Sequence, residues 1–142
     1  MAAIPELEPI IAEHYNELAL NQDKVPLAPR WNIYDASEQA NELLFVTCRE
    51  HGKLVGYFIG FVTPGLHYST CLTCNMDIFY ISKEFRGGSL GIRLFSFVER
   101  ELRTRGVQRF FVGSKTHADA SALFKRLKFN KVETYYSKWI GD

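Results

Sequence analysis

A segment with strand-like alternation, Asn75 to Ser82, runs within a few residues into the glycine-rich turn Arg86-Gly87-Gly88-Ser89-Leu90-Gly91. The turn opens directly onto a stretch in which Leu90, Leu94, Phe95, Val98 and Leu102 recur at spacings of three and four, the stripe of an amphipathic helix ending near Gly106. A helix of this kind buries its stripe against a sheet or another helix, and the strand before it supplies the sheet, so the chain is committed to a layered α/β architecture. The turn also gathers unpaired backbone N–H groups at the positive end of a helix, an arrangement suited to phosphate. It lacks the Gly-Lys-Ser/Thr ending of a nucleotide P-loop and the three glycines and downstream acid of a dinucleotide fingerprint, which disfavours those two ligands. Glycines at a strand-to-helix connection also serve plain turn geometry, so the turn by itself leaves both readings open.

The flanking segments extend the same pattern. Ile4, Leu7, Ile10, Ile11, Tyr15 and Leu18 predict a helix over Pro5 to Leu20, with Pro5 in the tolerant first turn. Pro26 and Pro29 mark a loop from Asn21 to Tyr34, and Asp35 with Glu38 reads as a capping box opening a short helix to about Leu43. Leu44 to Glu50 and Lys53 to Val62 flank His51-Gly52 as a β-hairpin. After the long helix come a strand over Gln108 to Gly113, a helix over Asp119 to Leu127 and a last strand over Lys131 to Ile140. The order predicts one α/β (α+β) domain, residues 1–142, with a mixed central sheet covered by helices on both faces.

Composition closes off several alternatives. At 142 residues and 46% hydrophobic content the chain holds one core and no second domain. Seventeen Lys plus Arg against 16 Asp plus Glu leave a net charge of +1, which argues against a dedicated nucleic-acid binder. The longest apolar run, Leu54 to Val62, falls far short of the roughly 20 residues of a membrane span. The acidic start and three cysteines fit reduced thiols and a cytoplasmic location. His67, Cys71 and Cys74, with Cys48, offer only one short-spaced pair for a metal, so buried thiols and no metal are expected. The basic residues between Lys83 and Arg105 flank the turn, where phosphate attraction accounts for them more economically than nucleic acid.

Ile81 to Phe95, including Arg86, Ser89 and Gly91, resembles the acyl-CoA motif of the GNAT acetyltransferases, Arg/Gln-x-x-Gly-x-Gly/Ala following a strand. His117 to Phe129 resembles the family's Asn-x-x-Ala-x-x-Leu-Tyr-x-x-x-Gly-Phe segment, matching at Ala120, Leu123 and Phe129. Within the family the chain is similar to small members from tailed phages. The resemblance implies an acyl-CoA wedge between two splayed parallel strands, Asp77 to Ile81 and Arg109 to Gly113. Acetyl-CoA would lie on the amides of Gly87, Gly88, Ser89, Leu90, Gly91 and Ile92, with Arg86 and Phe124 beside it and the Ile81 N–H at the thioester carbonyl. An amine, on a small molecule or a protein, would attack directly in a ternary complex.

Several positions depart from the family pattern. Ser89 stands for a glycine and requires negative φ; His117 stands for the asparagine that contacts pantetheine; Lys128 stands for a glycine at a helix end. Phe124 occupies the place of a tyrosine thought to protonate the leaving thiolate, which leaves the general acid open, with His117 as the nearest alternative donor. Asp77, taken to share a face with Phe79 and Ile81 by the period of two, reads either as a buried base or as a loop cap. His67 and Tyr68 read either as acceptor contacts on a substrate loop or as ordinary surface. The missing phenol keeps a second reading alive, a catalytically silent GNAT-shaped module that binds CoA or another protein. The aromatics of the last strand would permit a homodimer.

Overall fold

The computed structural model describes all 142 residues. β1 (Leu43–Glu50) and β2 (Lys53–Pro64) form the expected hairpin. His51 and Gly52 both take positive φ, 49° and 81°, the requirement of a tight turn that matches strand twist. β3 (Leu72–Ile81) pairs antiparallel with β2 along its whole length, and β4 (Arg109–Phe111) pairs parallel with β3, giving the sheet order β1-β2-β3-β4. Each of the two central strands carries one extra residue. In β2 it is Val55, because Cys48 faces Gly56 while Arg49 faces Leu54. In β3 it is Asp77, because Ile59 faces Ile78 while Gly60 faces Met76. A bulge resets the alternation, so residues on either side of it do not follow one period of two.

Helices cover both faces. α1 (Ile4–Leu18) and α2 (Trp31–Gln39) lie on one, where Leu7, Ile10 and Ile11 meet Leu54, Tyr57, Ile59 and Tyr80. α3 (Leu90–Thr104) and α4 (Ser121–Arg126) lie on the other, with Leu94, Phe95, Val98, Leu102 and Phe124 against Val55, Phe58, Cys74 and Ile81. This second face is built on edge-to-face aromatic pairs: Phe58, Phe79 and Phe124 each present to Phe95, at centroid distances of 5.7, 5.0 and 5.4 Å. Gly56 is needed where β2 crosses β3, since a Cβ there would stand 2.7 Å from the Tyr80 carbonyl oxygen. No helix is long and apolar enough to cross a membrane.

Two expected elements differ. α2 begins at Trp31, so Asp35 is a mid-helix residue and no capping box forms. Asp35 and Glu38, one turn apart, instead hold the N-terminal ammonium of Met1. Lys131 to Ile140 is not a strand: every residue from 130 to 142 is exposed and outside regular structure. Strand propensity needs a partner edge to become a strand, and nothing in the sheet pairs with this segment. Lys128 terminates α4 in the left-handed region, φ 68°, where a glycine would sit without strain, and Phe129 N–H donates to the Phe124 carbonyl as the helix closes.

Candidate active site

β4 accompanies β3 only over Thr73–Asn75, opposite Arg109–Phe111. Beyond Asn75 the two strands separate, and the rest of β3 keeps β2 as its only partner. Ser82 N–H donates to the Val55 carbonyl at 2.9 Å, which fixes the phase of the antiparallel ladder. Bonded pairs alternate, so Tyr80 and Ile78 face β2, while Phe79 and Ile81 turn their N–H and C=O groups into the gap. The Ile81 carbonyl confirms the phase by accepting Arg86 Nε–H at 2.7 Å. The expected wedge is therefore present, with the Ile81 N–H directed into it.

A 3-10 turn, Lys83–Phe85, leads from β3 to the glycines. Gly87 has φ +86°, a conformation that other residues adopt only with strain, and a Cβ at Gly87 or Gly88 would meet nothing within 4 Å. The first bond of α3 runs from Arg93 N–H to the Ser89 carbonyl. Consequently the six successive N–H groups from Gly87 to Ile92 have no acceptor within the protein. Ser89 has φ −90°, as a non-glycine there requires. Gly91 sits where α3, β3 and α4 converge: a Cβ there would stand 3.4 Å from the Leu123 side chain and 3.7 Å from that of Ile81.

Arg86 does not face these amides. Its guanidinium forms a two-pronged pair with Glu17 of α1, at 2.5 and 3.0 Å, and lies over the Tyr80 ring. Tyr80 Oη donates to Glu17 and Glu13, and its ring stacks on His14, which is hydrogen-bonded to Tyr57 at 2.5 Å. The Arg86 hydrogen bonds, foremost, hold the Glu17 carboxyl at about 2, whereas burial pushes His14 down to about 4. Sequence reading assigned Arg86 to the coenzyme and overlooked His14 and Glu17. His14 follows Leu7, Ile10 and Ile11 on the same helical stripe, the one signal that could have found it. Three other arginines of this region are also engaged by the fold: Arg93 with Glu50, Arg103 with Glu99, and Arg105 with the Leu43 carbonyl.

Asp77 is exposed rather than buried. Because it is the bulge residue, it joins the α1/α2 face, where Tyr34 Oη donates to it at 2.5 Å, while Phe79 and Ile81 belong to the opposite face. Burial first, then this bond, raises the Tyr34 phenol. His117 is exposed, and its Nε2 lies 2.9 Å from the Leu18 carbonyl at the end of α1, which requires Nε2 to carry the proton. Asp119 accepts the Ser121 N–H at the start of α4. Phe124 is a buried core ring. His67 and Tyr68 are exposed in the loop between β2 and β3, at the far end of β3 from Ile81; ten residues at about 3.3 Å each separate them by about 30 Å, so the structure does not bring them to the turn. Cys48 and Cys74 are buried on strands with β2 between them, Cys48 opposite Gly56 and Cys74 opposite Val62, so the offset along β2 alone sets them about 20 Å apart, too far to share a metal.

The profile of the family described as "Acetyltransferase (GNAT) family" matches residues 9–129. No curated protein matches the chain in sequence. Among solved structures, the chain is similar to a ribosomal-protein-alanine N-acetyltransferase from Brucella melitensis biovar Abortus 2308, at 17% identity and TM-score 0.77 over 99% of this chain and 93% of that one. An acetyltransferase from Trypanosoma brucei is similar at 16% identity and TM-score 0.71, over 96% and 94%. An aminoglycoside acetyltransferase from an uncultured soil metagenomic sample, solved with sisomicin, is similar at 14% identity and TM-score 0.71, over 95% and 89%. At these identities the likeness is one of fold.

This network gives stability a defined pH dependence. Both folded pKa values lie below the ordinary ones, so protons bind the unfolded chain more readily and acid destabilises. Stability should fall first between pH 6.5 and about 4 through His14, then between 4.5 and about 2 through Glu17. Denaturant titrations across this range should lose the upper limb in His14→Asn and keep the lower one.

Proposed function

Since the chain belongs to the GNAT acetyltransferase family, we propose that it transfers an acetyl group from acetyl-CoA to an amine by direct attack in a ternary complex. The run of six unpaired amides from Gly87 to Ile92, opening beside the gap between β3 and β4, is the observation that carries this reading. Acetyl-CoA fits these residues: its pyrophosphate matches a glycine-lined helix start with open space over Gly87 and Gly88, and it supplies the activated acetyl group. Leu90, Gly91 and Ile92 contribute backbone donors at the start of α3, and the pantetheine arm takes the gap. Lining by Phe79, Phe124 and Leu123 suits its apolar portions.

Ile81 N–H polarises the carbonyl under attack, and a well-placed donor of this kind contributes roughly 3 kcal/mol. The acceptor amine, with an ordinary pKa of about 10.4, is unreactive until it loses a proton. Asp77 is assigned to that proton or to the charge of the ammonium, because one of its oxygens accepts from Tyr34 while the carboxylate stays exposed. Phe124 supplies no proton; the leaving thiol has an ordinary pKa near 8.5 and departs with help from water or from His117, whose Nε2–H is now held by Leu18. The acceptor is a small molecule or a protein amine, and the reaction takes place in the cytoplasm without a metal.

Thiol release from acetyl-CoA in the presence of a panel of amines tests this directly. An acetyltransferase releases thiol in an amine-dependent way, and Asp77→Asn should lower the rate about a hundredfold while preserving acetyl-CoA affinity. Binding without thiol release for any amine would favour the silent module. Gly88→Val has room in the free protein, so it should fold normally, yet it should weaken acetyl-CoA binding about tenfold or more in calorimetry by obstructing amide–phosphate bonds. Unaltered affinity in the folded variant would remove the turn from the site.

A further inference from the structure

On the α1/α2 face the two helices pack chiefly over β2 and β1, which leaves the β3–β4 side of that face open. Asn75 is paired with Phe61 on one side and Phe111 on the other, so the three side chains share this face. Arg109, two residues before Phe111, joins them, whereas Phe110 between the two belongs to the aromatic layer beneath α3 and α4. Asn75, Asp77 and Arg109 are exposed. They form a strip that starts at Asp77, where the β3–β4 gap opens, and ends at Arg109. The mechanism above uses only its Asp77 end.

The Arg109 guanidinium lies over the rings of both Tyr68 and Phe111, 5.1 Å from each centroid. Tyr68 comes from the loop between β2 and β3, so rings on two separate elements hold the cation in place. Arg86, Arg93, Arg103 and Arg105 each have a carboxylate or carbonyl partner, and Arg109 has none. Ring contacts orient a guanidinium through its charge and its plane and leave its N–H groups to other acceptors. A planar fork held this way matches a carboxylate in two-pronged fashion. At the other end of the strip, the Asp77 carboxylate suits an ammonium. Thr73 stands opposite Arg109, and four residues, one of them the bulge, carry β3 on to Asp77, so the two ends lie roughly 10 Å apart along the strand.

We propose that Arg109 is the anion-binding end of the acceptor site, and that the acceptor carries a carboxylate roughly 10 Å from its reacting amine. This rests on the acetyl transfer proposed above and narrows its acceptor. The amine stands at Asp77, the body of the acceptor lies over Asn75 and the Phe111 ring, and the carboxylate takes the Arg109 fork. A straight chain such as ω-aminooctanoate has this reach. An alkylamine of the same length leaves Arg109 without a partner, and a diamine sets a second cation against it, a repulsion that discriminates as firmly as the attraction does.

Thiol release from acetyl-CoA, compared for ω-aminooctanoate, octylamine and diaminooctane, tests the proposal. The wild-type chain should favour ω-aminooctanoate over octylamine about tenfold or more in kcat/KM, with diaminooctane the poorest. Arg109→Gln should lower kcat/KM for ω-aminooctanoate about thirtyfold more than for octylamine. Arg109→Glu should put diaminooctane ahead of ω-aminooctanoate, a reversal that misfolding cannot produce. Equal kcat/KM for ω-aminooctanoate and octylamine in the wild type overturns the proposal and leaves acetyl transfer standing, as does an equal loss for both in Arg109→Gln. If no amine releases thiol, acetyl transfer fails, and binding then decides the carboxylate site. Titration with ω-aminooctanoate should shift the amides of Arg109 to Phe111 in the wild type and not in Arg109→Gln; unmoved amides in the wild type overturn the proposal.

Discussion

β3 is bonded to β2 along its length and to β4 for three residues only, and this inequality organises the molecule. A strand left without a neighbour on one side exposes backbone N–H and C=O groups, a cost that folds ordinarily avoid by pairing or covering the edge. Here the uncovered stretch lies inside the sheet, between two strands that start together and diverge. The gap is thus flanked by the main chain of Phe79 and Ile81 and floored by the aromatic layer under α3 and α4. The phase set by the Ser82–Val55 bond decides that Ile81, and not Tyr80, points into it.

The turn that follows β3 is held in place from outside the gap. Arg86 reaches back across the sheet end to Glu17, to the Tyr80 ring and to the Ile81 carbonyl, tying α1, β3 and the glycine turn together. Its charge is spent on this brace, so the amides of Gly87 to Ile92 are left as the donors available to a phosphate. Partly buried two-pronged pairs of this kind are geometrically demanding, and they fix orientation more reliably than they add stability. The neutral His14 beneath Tyr80 belongs to the same assembly and gives it an acid sensitivity above that of a carboxylate pair alone.

The hairpin, both helix-covered faces and the glycine turn were legible because each rests on local rules: a positive-φ turn at His51-Gly52, helical spacing in Leu94, Phe95, Val98 and Leu102, and a strand running into Gly87. Asp77 was misplaced because a single extra residue shifts alternation, and nothing in its side chain announces a bulge. The pairing of Arg86 with Glu17 was not legible because the partner lies 69 residues away on another element. Asp35 looked like a cap because a capping box is defined by spacing alone, while the true start of α2 is set by Trp31 packing against the α1/α2 core. Residues 131–140 looked like a strand because their propensity is strand-like, and propensity carries no information about whether an edge is within reach.

The central claim is that the backbone between Gly87 and Ile92 receives an anionic group beside the β3–β4 gap. Amide chemical shifts followed while acetyl-CoA is titrated into the labelled protein test it most directly. The account predicts that the largest displacements fall on the amides of Gly87 to Ile92 and on Ile81, with the His67–Tyr68 loop unmoved. Displacements centred elsewhere, with the Gly87 to Ile92 amides unchanged at saturation, would contradict it.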